Sequence, residues 1–307
     1  MNTLHLKYII EVEKTGSISR AAENLYMNQP QLSKAIRELE ETVGISIFKR
    51  SSKGVVPTTK GAEFIMDAKG ILAQLQRLET TYNPKKSEKV TLDVAVARCG
   101  YICEAFRRFL EKISSQKQEK ITYRETNSTR AIKNVATGEN NIGIVKYNAM
   151  YEQYFIQMLE ERELRHKILW EYDEVILVSA QSPLAKLKEA DEQTLSDMTE
   201  ILFGDNVIHY GRSARKIKSA RENENMHHIM VYDRISMCAA LMGDLNSYAR
   251  ITPPPKGCYD EKKFVVIPLK AEDKTYRDVI FYRKDYRMSE TDKLFISLLH
   301  QVIAELN

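Results

Sequence analysis

From Leu4 to Lys14, apolar side chains fall at Leu4, Leu6, Tyr8, Ile9, Ile10 and Val12. The spacing of Leu6, Ile9 and Ile10 predicts a helix with one buried stripe. Thr15-Gly16-Ser17 interrupts it. Ser17 or Ser19 then caps a second helix, which turns Ala21, Ala22 and Leu25 inward. The two alanines leave room for another helix to cross closely. After a turn at Asn28 and Gln29, Pro30 opens a third helix, which ends at Gly44. At 100° per residue its Leu32, Ile36 and Leu39 share one side, with Ala35 beside them. Pro30, Ser33, Lys34, Arg37 and Glu41 share the other. Such a face on a lone helix reads as ordinary wet surface. Two helices joined by a short turn, the second exposed and basic, is the helix-turn-helix pattern. The segment Ile45–Thr59 then alternates as a two-stranded hairpin with Lys49, Arg50 and Lys53 around its tip, a wing.

Thr58 or Thr59 caps a long helix to about Tyr82. Phe64, Ala68, Ile71, Leu75, Leu78 and Tyr82 recur at alternating four- and three-residue steps, a coiled-coil seam. The N-terminal segment offers no other element long enough to cover it, so pairing with a second copy is expected. Asn83–Lys89 reads as a linker. From Val90 the texture changes. Short β-rich runs (90–96, 121–125, 142–146, 173–180, 229–232, 264–269, 278–283) alternate with helical spacing at Glu104–Lys117 and Thr129–Thr137. That alternation predicts parallel sheets in an α/β region of two lobes, whose ligands sit beyond the C-terminal strand ends. The fold class expected is α+β multidomain. Residues 1–60 form a winged helix-turn-helix, 61–89 a dimerisation helix and hinge, and 90–307 a ligand-binding domain.

Charge sharpens this picture. Residues 1–60 carry nine Lys/Arg against six Asp/Glu, residues 61–89 five against four, and residues 90–307 thirty-two of each. The net excess of +4 therefore lies wholly in the first 89 residues. A basic small domain on a neutral body points to nucleic acid or another anionic surface as partner of the first part. No run of eighteen apolar residues predicts a membrane span. The N-terminus lacks a signal-peptide pattern, and four cysteines (Cys99, Cys103, Cys238, Cys258) argue against a disulfide scaffold. A cytoplasmic protein is expected.

Chemistry beyond binding is sparse. No glycine-rich phosphate loop or nucleophile elbow is present, so no catalytic residue, metal ligand or cofactor is expected. His227, His228 and Cys238 lack the spacing of a metal site. Cys99 and Cys103 straddle a strand end and a helix start, where a thiol can be activated; inert buried cysteine is the commoner state. Met226, Met230, Met237 and Met242 read as core or gap-filling residues. Lys49, Arg50 and Lys53 are candidates for phosphate or minor-groove contact, with an internal ion pair as the alternative for Arg50.

Taken together, Ser17, Ala21–Ala22, Leu25, Asn28–Gln29–Pro30, Ser33, Ile36, Leu39–Glu40, Gly44, Phe48, Arg50, Thr58 and Gly61 resemble the winged helix-turn-helix of LysR-type transcriptional regulators. Further on, GENNIGIV (138–145) resembles a common stretch of that family, with Asn141 where aspartate is usual. QSPLAK (181–186) resembles another, with Ser182 where histidine is common. The resemblance implies a two-lobed effector domain like type 2 periplasmic binding proteins. Its lobes would be 90–165 with 268–307, and 166–267, crossed near Glu163–Ile168 and Ile267–Leu269. It implies promoter DNA as partner, met by Gln29, Pro30, Gln31, Ser33, Lys34 and Arg37. Arg37 or Lys34 would donate to guanine, Gln29 would pair with adenine and Pro30 would touch a thymine methyl. It implies a small-molecule effector near Arg98–Cys99–Gly100–Tyr101, Asn127–Ser128–Thr129, Lys146 and Phe203–Gly204–Asp205. Arg98 and Lys146 would suit an anionic effector, unless both face solvent. It also implies pairing through Phe64, Ala68, Ile71, Leu75 and Leu78 into dimers or tetramers, with RNA polymerase as a further partner. The alternative reading is a small-molecule-binding module or enzyme whose N-terminal domain only dimerises.

Overall fold

The computed structural model describes residues 2–51, 54–82, 90–114, 118–206 and 227–307. It forms two compact units, the first within residues 1–89 and the second from nearly all of residues 90–307. Each is described by itself.

The first unit begins with helix α1 (Thr3–Thr15), capped by the Asn2 side chain, which accepts from the Leu4 amide. Gly16, in the left-handed region at φ 64°, ends it. Ser17 caps α2 (Ile18–Asn24), and Asn28 caps α3 (Gln29–Val43), with Pro30 in the first turn. Leu6, Ile9, Val12, Ala21, Ala22, Leu32, Ile36 and Leu39 meet in one buried core. The small side chains of both alanines let α2 sit tightly on its neighbours, and both are almost fully buried. Strands β1 (Phe48–Ser51) and β2 (Gly54–Pro57) pair antiparallel as the wing. The Val55 amide donates to the Gly16 carbonyl at 2.9 Å, so the wing is pinned to the α1–α2 turn.

Thr58 caps α4 (Thr59–Tyr82) by accepting from the Gly61 amide. Here one expectation is corrected. The unit does contain a cover for α4: α1 packs along it. Ile65 and Ala68 are buried in the core, with Leu72 packed against it. Gly61, Ile65, Ala68 and Leu72 form one stripe, and Phe64, Ile71 and Leu75 form another, roughly 70° round the helix at 100° per residue, although Phe64 is half-buried against the same core. Ala68 thus belongs to the intrachain stripe. The Leu78 side chain and the linker 83–89 lie outside the described residues.

The second unit holds two sheets. The first has the order β4-β3-β5-β13-β6, from β3 (Val90–Val96), β4 (Gln118–Glu125), β5 (Ile142–Asn148), β6 (Leu164–Asp173) and β13 (Thr275–Arg283). The second has the order β10-β9-β11-β7-β12-β8. Its strands are β7 (Val175–Ser179), β8 (Ala190–Asp191), β9 (Thr199–Phe203), β10 (His227–Val231), β11 (Ser247–Ile251) and β12 (Phe264–Lys270). The helices are α5 (Gly100–Ile113), α6 (Ser128–Ala136), α7 (Glu152–Glu160), α8 (Glu192–Leu195), α9 (Arg234–Gly243) and α10 (Glu290–Ala304).

The sheets are mixed rather than parallel. β3 runs parallel to β4 and β5, but β13 is antiparallel to β5 and β6, and β7 is antiparallel to β11 and β12. The crossings also fall later than expected. β6 stays in the first sheet to Asp173 and β12 stays in the second to Lys270, so the chain crosses at Glu174 and again over 271–274. The alternation of β6 was masked by a bulge: Trp170 pairs with Asp278 and Ile168 with Val279, leaving Leu169 extra. β12 continues past Pro268 because Leu269 pairs with Ala190 of β8. The Glu174 amide donates to the Lys274 carbonyl at 2.8 Å, which staples the two crossings together. Among the described residues, no helix is long and apolar enough to cross a membrane.

Candidate nucleic-acid interface and inter-lobe cleft

On α3 the two faces separate as the periodicity requires. Leu32, Ile36 and Leu39 are buried, while Gln29, Pro30, Gln31, Lys34 and Arg37 are exposed and Ser33 is half-buried. Lys34 lies 3.8 Å from Glu38 one turn on, a solvated pair. Arg37 has no ion-pair partner among the described residues. The helix is held from its far end by Glu40, whose carboxylate accepts from the backbone amides of Ile47 at 2.6 Å and Phe48 at 3.1 Å. One element therefore fixes both the exposed face and the start of the wing. Lys49 is exposed on β1. Lys53 and the Arg50 side chain lie outside the described residues. Tyr26, in the turn before α3, is 99% exposed with a left-handed φ of 54°. The sequence reading passed over it, because only the backbone shows that the turn throws this ring outward.

In the second unit, the described part of the cleft between the sheets is polar. Arg98, between β3 and α5, forms a bidentate pair with Asp205 beyond β9, at 2.7 and 2.8 Å. Its guanidinium also lies 5.0 Å from the Phe203 ring. Arg234, the first residue of α9, pairs with Glu125 at the end of β4 and donates to the Cys99 carbonyl. Lys146 on β5 pairs with buried Glu174 at the crossing, at 2.7 Å, and lies over the Tyr276 ring. Burial, the largest influence, would depress the Lys146 ammonium; Glu174 together with Cys99 and Tyr276 outweighs it, and the pKa stands above the ordinary lysine value. Arg98 and Lys146 are therefore not turned to solvent, and each is already paired. Both hold a carboxylate of this chain. One void there, lined by Arg98, Gly100, Phe203, Arg234, Thr252 and Tyr259 among others, is about 10 Å³, close to the least that accommodates one water.

Other expected cleft residues have structural duties. Helix α5 starts earlier than expected, so Gly100 and Tyr101 are helical rather than in a loop. Tyr101 is fully buried and donates to Asp278 on β13 at 2.6 Å; Tyr172 donates to the same carboxylate at 2.9 Å. Burial raises the Asp278 pKa against those hydrogen bonds. Asn127 caps the start of α6, and the buried Ser128 hydroxyl donates to the Lys146 carbonyl. Thr129 is exposed. Gly204 packs against the Tyr232 ring. Cys99 is buried, accepts from the Thr252 hydroxyl, and burial pushes its thiol well above the usual range. It is thus a buried, protonated thiol, while Cys103 is exposed. Among the methionines, Met237 is core, Met230 and Met242 are exposed, and Met226 lies outside the described residues. Sequence reasoning missed Glu125, Glu174, Arg234, Thr252 and Asp278. Glu125 was legible as a charge ending a strand, but nothing linear joins it to Arg234, 109 residues away.

Comparison with known proteins agrees with this geometry. Residues 4–62 match the family model described as bacterial regulatory helix-turn-helix protein, lysR family. The chain is 25% identical over 250 residues to the Hca operon transcriptional activator HcaR of Escherichia coli, covering 79% of each chain. Among solved structures, a full-length OxyR variant from Pseudomonas aeruginosa aligns with a TM-score of 0.66 at 20% identity, covering 98% of both chains. Full-length CbnR complexed with its target DNA aligns with a TM-score of 0.60 at 16% identity, covering 98% of this chain and 100% of that one.

Proposed function

We infer the function of this chain from its membership of the LysR family of bacterial helix-turn-helix regulators: it is a DNA-binding transcriptional regulator whose response is set by a small molecule in the inter-lobe cleft. The observation that carries this reading is α3, where Gln29, Pro30, Lys34 and Arg37 are exposed while Leu32, Ile36 and Leu39 anchor the helix. In this reading α3 enters the major groove. Arg37 and Lys34 supply base or phosphate contacts, Gln29, Gln31 and Ser33 short hydrogen bonds, and Pro30 an apolar contact. The wing, with Lys49, Arg50 and Lys53, grips the flanking backbone. Two copies pair along α4 through Phe64, Ile71 and Leu75, so that two recognition helices meet an interrupted palindrome.

Footprinting on DNA upstream of the regulated genes tests this. Protection over two half-sites is expected, with affinity falling steeply as salt rises. Arg37→Ala with Lys34→Ala should remove protection while the circular dichroism spectrum and the melting temperature stay unchanged. Undiminished binding by that double variant would overturn the assignment of this face. No DNA affinity even at low salt would instead favour a binding module whose N-terminal unit only dimerises.

A further inference from the structure

We propose that the cleft is occupied by the protein's own carboxylates in place of an effector: Asp205 and Glu125 stand where the acidic group of an organic-acid effector binds, and they latch the lobes shut until it displaces them. This rests on the cleft being the effector site. Four observations support it. Both pairs bridge the lobes, since Arg98 and Glu125 belong to the first sheet's side and Asp205 and Arg234 to the second's. Both guanidiniums line the same void, which is too small for a metabolite while the pairs are closed. The Arg98 side chain is only 11% exposed. Finally, the pairing of Arg98 is bidentate in both directions, which matches a planar carboxylate.

The energetics then select the ligand class. Pulling Asp205 away without a replacement leaves a largely buried guanidinium unpaired, which is strongly unfavourable. A neutral ligand has nothing to offset that loss. A ligand carboxylate exchanges one carboxylate for another on Arg98, and the released Asp205 gains hydration. The exchange is near balance, so modest additional contacts with Phe203 and Tyr259 decide it. An organic acid with a second acidic group would do the same at Arg234.

Chemical rescue in the full chain tests this without reference to DNA. Asp205→Ala should raise the hydrogen-exchange rate of the Cys103–Ala105 amides, which are bonded in the first turn of α5, about tenfold, as a lost latch predicts. Sodium acetate, the smallest carboxylate able to refill the position, should return the rate to near its natural value, while acetamide should not. In Asp205→Ala with Arg98→Gln, acetate should have no effect. Acetate that leaves Asp205→Ala unchanged, or slows exchange equally in the variant lacking Arg98, overturns the proposal. Either result leaves the footprinting outcome untouched, so failure here is separable from failure of the regulator reading.

Discussion

The Glu40 carboxylate accepts a hydrogen bond from the Ile47 amide at 2.6 Å, and so ties the end of α3 to the strand that begins the wing. A second bond, from the Phe48 amide, falls on the same oxygen. An acidic residue on α3 would be repelled by phosphate if it faced a duplex, as the proposed function has this helix do. Here it is turned inward and spent on two backbone donors near a core that includes Ile47.

Glu40→Ala is expected to leave both amides without this acceptor and to destabilise the N-terminal unit by about 1–3 kcal/mol. Urea unfolding followed by a probe confined to that unit measures it. DNA affinity should fall with it, because the angle between α3 and the wing is no longer fixed.

Gly61 is set by contact rather than by backbone angle. A Cβ built there would lie 1.9 Å from the Ile47 carbonyl oxygen. Gly61→Ala should therefore cost more than the ~1–3 kcal/mol typical of overpacking, because the obstacle is backbone and cannot swing aside. Gly70, on the same helix, has nothing within 4 Å of such a Cβ. Gly70→Ala should stabilise α4 by up to ~1 kcal/mol. Opposite signs in thermal denaturation are the expected result.

Ile71 is 42% exposed on α4, and Leu75 shares its stripe. Ile71→Glu with Leu75→Glu should give monomers by sedimentation velocity with the helical content retained. Ala68→Glu should instead unfold the N-terminal unit, since Ala68 faces α1. A dimer that survives the double substitution removes this stripe from the interface.

Glu104 carries a pH signature. Its hydrogen bonds from Arg107, then Arg108, hold its carboxyl down to about 2 from the ordinary 4.5. A carboxylate depressed in the folded state adds stability above the unfolded value, and loses it as pH falls from about 4.5 towards 2. Because solvent screens this pair, the contribution is below ~1 kcal/mol. Glu104→Gln should thus be slightly less stable than the natural chain at pH 7, with the gap closing by pH 2–3.

The amino-acid sequence by itself determined the N-terminal unit nearly residue by residue. Caps, glycine stops and a 3.6-residue stripe are local signals, and the hydrogen bonds that close each of α1 to α4 join near neighbours in the chain. It likewise placed the strands 90–96, where β-branched and apolar residues alternate with Thr91 and Asp93, and 264–269, where the apolar run is uninterrupted. Tertiary structure alone decided the rest. The bulge at Leu169 hid β6, the antiparallel return of β13 made the sheets mixed, and α1 claimed Ala68 from the expected seam. The cleft shows the limit most plainly. Arg98 and Lys146 were legible as cations near strand ends, but their state depends on Asp205 and Glu174, supplied by distant parts of the chain. Charge is a property of one residue and can be read in sequence. Whether that charge is already neutralised is a property of a pair in space, and only the folded chain sets it.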